Sequence, residues 1–238
     1  MPVTSSSLVL QLSGVRTRAG RAGSLDDLSL GVEPGQVVAV VGGAGSTLFD
    51  TVCGFERPEA GEITWRGSAL RPRPHRLTTL GGLARTLQGV GLYGGLTVLE
   101  NVLVGAAGVP PVAAVPAGRH GGMGVALLGG AQLRLRGEEL RRLARDVLTR
   151  LGAGDHLDAE LAAVPVSLHL RVVLARALLV APELLVLDDP TAGLEAGEAA
   201  ALAELLRPEP GSDRAVLVTT GDTEFAALAA DRVVSLGG

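Results

Sequence analysis

The hydrophobic positions of this chain form short runs separated by turn signals. Residues 8–35 alternate apolar and polar positions, which is typical of antiparallel strands. Val37–Val41 and the run 184–187 are unbroken apolar segments, and such segments fit strands that are buried on both faces of a parallel sheet. Further strands are predicted at 61–67, 214–219 and 232–236.

Helices are predicted where apolar residues recur at a helical spacing. The clearest lies at 138–151, and its apolar stripe consists of Leu140, Leu143, Val147 and Leu151. The other predictions are helices at 46–55, 168–181 and 193–207, and an irregular, glycine-rich segment from 89 to about 130. Strands that alternate with helices indicate an α/β fold with a largely parallel sheet.

Composition limits the kinds of partner that we expect. The 238 residues carry a net charge of −4, so bulk electrostatics give no reason to expect binding to nucleic acid or to an anionic membrane. All 21 basic residues are arginine, and the chain contains no lysine. The single cysteine, Cys53, excludes an internal disulfide. No segment has the roughly 20 mostly apolar residues of a membrane helix, so we expect no direct membrane insertion.

Two predicted strands end in residues that carry chemistry. Val37–Val41 leads into a glycine loop and then a helix, an order that places backbone N–H groups on an anion. The cofactor-binding candidates in this loop are Gly42, Gly43, Ala44, Gly45, Ser46 and Thr47. The run 184–187 leads into Asp188 and Asp189, at the edge where open α/β sheets bind ligands. An aspartate in this place holds Mg²⁺ in P-loop enzymes, which makes Asp188 the candidate metal ligand.

Four ordered blocks give the chain a resemblance to a known family. The blocks lie at 48–67, 84–105, 174–198 and 229–236, and together they resemble an ABC-type ATPase subunit, most closely that of branched-chain amino acid importers. The resemblance implies a P-loop NTPase (RecA-like) ABC ATPase core with an N-terminal antiparallel β-subdomain and an inserted α-helical subdomain. It implies a single domain over 1–238, with its core at 1–89 and 166–238 and its helical subdomain at 90–165.

The same resemblance implies a set of ligands and partners. ATP and Mg²⁺ are the expected cofactors, with Asp188 and Gln88 on the metal and with Asp189 and Gln88 in catalytic positions near the attacking water. The expected partners are membrane-spanning permease subunits and a second ABC ATPase subunit, with which the chain forms a dimer. The expected location is the cytoplasm, at the inner face of the cell membrane and attached through those partners.

Several positions depart from the family pattern GxxxxGK[ST] and from its later motifs. The glycine loop lacks two residues between its glycines, and its lysine is either deleted or replaced by Ser46. The signature motif falls on 164–168, where Pro165 and Ser167 stand in place of a serine and a glycine. Asp189 is one methylene shorter than the usual glutamate, and Gly221 takes the place of the switch histidine. Three places also have a simpler structural interpretation. Ser46 or Thr47 is an N-cap of the first helix, Ser167 is an N-cap of the helix at 168–181, and Asp188 with Asp189 forms an N-cap and turn at the strand end.

Three functions remain open at this point. The first is a working ATPase subunit that powers import, and the second is a catalytically weakened or inactive subunit with a structural, regulatory or vestigial role. The third is a dinucleotide-binding enzyme, in which 40–45 is a Rossmann turn and Glu62 contacts a ribose. The blocks at 84–105 and 174–198 have no explanation in the third. The departures lead us to expect an importer subunit whose ATP hydrolysis is weak or lost.

Overall fold

The computed structural model describes residues 8–18, 23–72, 82–86, 91–105 and 129–236, and for 129–136 it describes the backbone alone. The chain divides into two compact units. The first comprises Met1–Val90 with Pro182–Gly238, and the second comprises Gly91–Ala181. None of the described helices is both long enough and apolar enough to span a membrane.

The first unit contains two sheets. The antiparallel sheet has the order β2-β1-β4-β5, with β1 at Leu10–Arg16, β2 at Leu28–Val32, β4 at Ala60–Trp65 and β5 at Ser68–Ala69. The parallel sheet has the order β6-β7-β8-β3-β9, with β3 at Val37–Val41, β6 at Leu83–Arg85, β7 at Leu184–Asp188, β8 at Ala215–Thr220 and β9 at Arg232–Ser235. These sheets confirm the predicted α/β class and its antiparallel N-terminal part.

Six α-helices occur in the described ranges, three in each unit. The first unit contains α1 at Gly45–Cys53, α5 at Ala196–Leu206 and α6 at Thr223–Ala229. The second unit contains α2 at Val98–Val104, α3 at Gly129–Arg150 and α4 at Val166–Leu178.

The central strands of the parallel sheet, β7, β8 and β3, are buried on both faces, as their apolar runs predict. Successive side chains of a strand point to opposite faces. In β3, Val38 and Val40 join a core shared with the antiparallel sheet and α1, while Ala39 and Val41 pack with Ala226 of α6. The same alternation puts other residues of the parallel sheet into the shared core, among them Leu184, Val186 and Leu217. The rigid sheet therefore fixes the ends of its central strands, where the candidate motifs lie.

The second unit is built from α2, α3 and α4, which pack against one another. The irregular structure predicted for 89 to about 130 is wrong at α2. Thr97 and Glu100 form a capping box that starts this helix, and Val98 and Val102 bury its inner face. The helix α4 groups with the second unit, where it packs on α2 and α3. The rest of that irregular prediction, 106–128, lies outside the described residues.

Asn101 organises the loop that precedes α2. Its side chain is fully buried, and Nδ2 donates to the backbone oxygens of Tyr93, Leu96 and Thr97. Its Oδ1 accepts from Tyr93 N and from Arg176 of α4. The Arg176 guanidinium also donates to the backbone oxygens of Gly91 and Asn101, and its burial lowers the pKa of the guanidinium. A buried polar network thus holds 91–97 against two helices of the unit.

Candidate functional site

The two predicted motifs meet at one edge of the parallel sheet. Strands β7, β8 and β3 are neighbours, and their carboxyl ends lie together because the strands are parallel. The register pairs Asp188 with Thr219 and Val41 with Thr220. The glycine loop after β3 and the carboxylates at the end of β7 therefore flank the end of β8 on its two sides.

The glycine loop is compact and needs its glycines. Gly42 has φ +128°, and a Cβ there would lie 2.5 Å from the Leu236 backbone oxygen. A Cβ on Gly45 would lie 3.2 Å from Thr219 Cβ, so the start of α1 touches β8. The Gly45 N–H donates to Gly42 O at 3.2 Å, which closes the loop on itself. The first amide of α1 is thereby used within the loop.

Ser46 and Thr47 do not cap α1, so that interpretation is wrong. The N-cap is Ala44, which makes no side-chain capping bond. Ser46 Oγ instead donates to Asp188 Oδ1 at 3.2 Å, and Thr47 Oγ1 donates to Gly23 O at 3.3 Å. Both hydroxyls lie inside the first turn of the helix, and each donates to a partner outside the helix. Ser46 therefore joins the two predicted motifs directly.

The Asp188 carboxylate is half-buried and held by two hydroxyl groups. Its Oδ1 accepts from Ser46 Oγ and, at 2.7 Å, from Thr219 Oγ1. Asp50 lies one helical turn after Ser46. Burial raises the pKa of Asp50, the carboxylates of Asp188 and Glu56 raise it further, and an arginine opposes the shift. This edge of the sheet consequently concentrates negative charge.

Asp189 follows with an unusual backbone. Its φ is +40°, and its N–H donates to Thr219 O at 2.7 Å. Its Oδ1 accepts from Thr220 Oγ1 at 3.3 Å. The next helix, α5, begins with Glu195 as its N-cap, so neither aspartate caps that helix. The strained conformation and the hydroxyl contact turn the Asp189 carboxylate toward the end of β8.

Sequence reasoning missed Thr219 and Thr220. Both are nearly fully buried, and each donates its hydroxyl to one of the two aspartates. Two consecutive threonines at the end of a buried apolar strand were a usable signal, because a buried hydroxyl needs a partner. Their role depends on strand order, however, since only the placement of β8 between β7 and β3 brings them to the motifs.

The remaining predicted positions are Gln88, Pro165, Ser167 and Gly221. Gln88 lies outside the described residues. In the second unit, Pro165 is the N-cap of α4, so Ser167 is not the cap that its sequence position suggested, and Val166 is 78% exposed. Gly221 is exposed at the end of β8, and a Cβ there would meet no atom within 4 Å. The described residues contain no group of three or more His, Cys, Asp or Glu that could hold a metal ion by themselves.

The chain is similar to known proteins over most of its length. The family model described as ABC transporter matches residues 25–192. The chain is 31% identical over 209 residues to "High-affinity branched-chain amino acid transport ATP-binding protein LivG" of Salmonella typhimurium, covering 84% of this chain and 76% of that protein. It is 32% identical over 231 residues to a "Probable anion import ATP-binding protein" of Haloferax volcanii, covering 92% and 74% respectively.

Solved structures of ATP-binding cassettes have a similar fold. A nucleotide-free ATP-binding cassette from an ABC transporter matches 96% of this chain and 87% of its own, with a TM-score of 0.74 and 21% identity. The ADP conformation of another ATP-binding cassette of an ABC transporter matches 96% and 87%, with a TM-score of 0.75 and 20% identity. At this level of identity the likeness concerns the fold alone.

Proposed function

This chain belongs to the ABC transporter family, and we propose that it is the ATP-binding subunit of an importer whose ATP hydrolysis is weak or lost. The observation that carries the proposal is the direct contact between Ser46 and Asp188 in a chain that has no lysine. The contact keeps the part of the site that serves Mg²⁺, and the missing lysine removes the part that neutralises the phosphates.

The residues present fit Mg²⁺ bound together with a phosphate. In P-loop NTPases the metal is held by the serine or threonine of the loop and by the aspartate at the strand end. Ser46 and Asp188 supply this pair, which favours a deleted lysine over its replacement by Ser46. Mg²⁺ takes oxygen ligands and is usually bound through one or two carboxylates and substrate phosphates. The lack of a larger ligand cluster in the described residues agrees with that mode.

The part of the site that would hold the phosphates offers fewer donors than a complete P-loop. The loop is two residues short, and the Gly45 N–H already donates to Gly42 O. Arg85 does not take the place of the missing lysine. Arg85 donates to Cys53 O at the far end of α1 and stacks 4.3 Å from the Phe55 ring centroid. A nine-residue helix is about 13 Å long, so this cation caps the end of α1 that is remote from the loop.

Two further positions, those of the family's glutamate and of its switch histidine, also disfavour ATP hydrolysis. Asp189 has a shorter reach than glutamate, and its Oδ1 accepts a bond from Thr220. General-base catalysis is worth about 10²–10⁴-fold when its geometry is right. Gly221 offers no imidazole for a γ-phosphate. Losing one charge-stabilising donor commonly lowers turnover by about 10²–10³-fold. These losses act on one reaction, so we infer that turnover is slow or absent.

The transport context is proposed from the relatives. Those named above are import or transport ATP-binding proteins, and the four sequence blocks fit the branched-chain amino acid group best. We therefore propose amino acid import, with membrane-spanning permease subunits and a second ATPase subunit as partners, at the cytoplasmic face of the membrane. The second candidate is a purely structural or regulatory subunit. The signature segment favours it, because that segment has lost its glycines and exposes Val166.

The test is calorimetry of ATP binding to the purified protein with and without Mg²⁺. We expect binding in Mg²⁺, none in EDTA, and loss of binding in Asp188→Ala. Asp158→Ala is the matched control, because it removes an exposed carboxylate from the second unit and changes the net charge equally. No heat for the parent protein at millimolar Mg-ATP would contradict nucleotide binding and favour the structural candidate. Rapid turnover, measured as phosphate release, would contradict the loss of hydrolysis.

A further inference from the structure

Thr219 lies between the two motifs that the proposed function uses. Its residue is 1% exposed, and β8, which carries it, runs between β7 and β3. One side of the residue lies against the start of α1, because a Cβ on Gly45 would be 3.2 Å from Thr219 Cβ and 3.9 Å from its methyl carbon. Its hydroxyl reaches Asp188 Oδ1 at 2.7 Å and lies 3.3 Å from Leu187 O.

Two hydroxyls converge on the same oxygen of Asp188, and they differ in how firmly they are fixed. The bond from Thr219 is 2.7 Å long and comes from a buried, β-branched side chain, whose χ1 is stiff. The bond from Ser46 is 3.2 Å long and comes from an exposed residue. Hydrogen bonds to an ionised acceptor are about twice as strong as neutral ones, and shorter ones are typical of them. Thr219 therefore dominates the orientation of this carboxylate.

We propose that Thr219 is a positioning residue whose hydroxyl holds the Asp188 carboxylate beside Ser46 before any cation arrives. That the cation is nucleotide-bound Mg²⁺ rests on the proposed function. A carboxylate that is already oriented loses less rotamer freedom when it binds, so the cation is held more tightly. The neighbouring hydroxyl, on Thr220, donates to Asp189 and leaves Asp188 untouched.

The first experiment titrates Mg²⁺ at a fixed ATP concentration and follows nucleotide binding by calorimetry. Thr219→Val keeps the methyl contact and removes the hydroxyl, whereas Thr219→Ser keeps the hydroxyl and removes a methyl. We expect the Mg²⁺ midpoint to rise about tenfold in Thr219→Val and to stay unchanged in Thr219→Ser. Thr17→Val is the control, because it removes another buried hydroxyl, one that accepts from Leu25 N away from the site, and it leaves the midpoint unchanged. A merely structural role for Thr219 would lower the melting temperature without moving the Mg²⁺ midpoint, and that result overturns the inference.

The second experiment needs no nucleotide. A double-mutant cycle combines Thr219→Val with Asp188→Ala and measures urea unfolding. We expect the destabilisation caused by Thr219→Val to disappear in the Asp188→Ala background. An equal effect in both backgrounds refutes the positioning role whatever the calorimetry shows. If the parent protein binds no ATP, the proposed function fails, and the cycle still decides whether Thr219 holds Asp188.

Discussion

Replacing Asn101 with alanine tests the buried network of the second unit. The Asn101 side chain is fully buried, and it joins the 91–97 loop to α2 and, through Arg176, to α4. Asn101→Ala removes every side-chain polar atom from this position and leaves the loop backbone with its own donors and acceptors. We expect the unit to lose stability because those groups then lack a protein partner.

The magnitude follows from the hydrogen bonds. Asn101 Nδ2 has two hydrogens for three carbonyl oxygens, at 2.9, 3.2 and 3.0 Å, so it makes about two full bonds. Its Oδ1 accepts two more, at 2.9 Å from Tyr93 N and at 3.2 Å from Arg176. Four bonds at about 1 kcal/mol each give about 4 kcal/mol. Because Tyr93 is half-exposed, water recovers part of this, and we expect a loss of about 2–4 kcal/mol.

Urea unfolding measures the loss, and hydrogen exchange locates it. The Tyr93 amide, which donates to Asn101 Oδ1, should exchange faster in Asn101→Ala. Val104→Ala is the matched control, since it truncates a partly exposed residue one turn later in the same helix and should change stability by less than about 0.5 kcal/mol. A loss below about 1 kcal/mol, or an unchanged Tyr93 amide, would mean that Arg176 alone holds the loop and that the reasoning fails.

Three further results are expected. Gly42→Ala should destabilise the protein by about 2 kcal/mol or more in urea unfolding, because its φ is positive and its Cβ would meet the Leu236 carbonyl, whereas Gly43→Ala has open space and should be nearly neutral. Burial raises the pKa of the Cys53 thiol from 9.0 to about 12. The stability that the buried thiol contributes is therefore complete below pH 9 and falls above pH 9 by up to about 1.4 kcal/mol per pH unit. Cys53→Ala should lack this fall in urea titrations at pH 8–10.5. Asp222→Ala, which removes the N-cap bond of α6, should cost about 1 kcal/mol by the same assay.

Sequence patterns predicted those parts of the fold whose causes are local. The unbroken run at Val37–Val41 gave a buried strand because a parallel strand needs apolar residues on both faces. The helix α2 was missed because the glycine-rich surroundings outweighed a short capping box at Thr97. Local rules place serine at helix starts and so suggest a cap at Ser46, whereas its hydroxyl donates to Asp188, a partner that is distant in sequence.

The candidate site, too, could be predicted from the sequence only where its causes are local. The carboxylates and the glycine loop are readable because each follows a strand, and strand ends meet at one edge of a parallel sheet. Thr219 could be recognised only once β8 was known to lie between β7 and β3. Strand order depends on long-range packing, and no residue pattern within one strand encodes its neighbours.

Charge balance at this edge explains why binding should depend so strictly on Mg²⁺. In a complete P-loop, a lysine and the metal together offset the phosphates. Here the lysine is absent and Asp50 adds a carboxylate one turn from Ser46, while Asp188 contributes to the raised pKa of Asp50. A nucleotide without metal would bring further negative charge to a negative edge. The cation is then the main positive charge at the site, so the proposed function depends chiefly on the residues that orient Asp188.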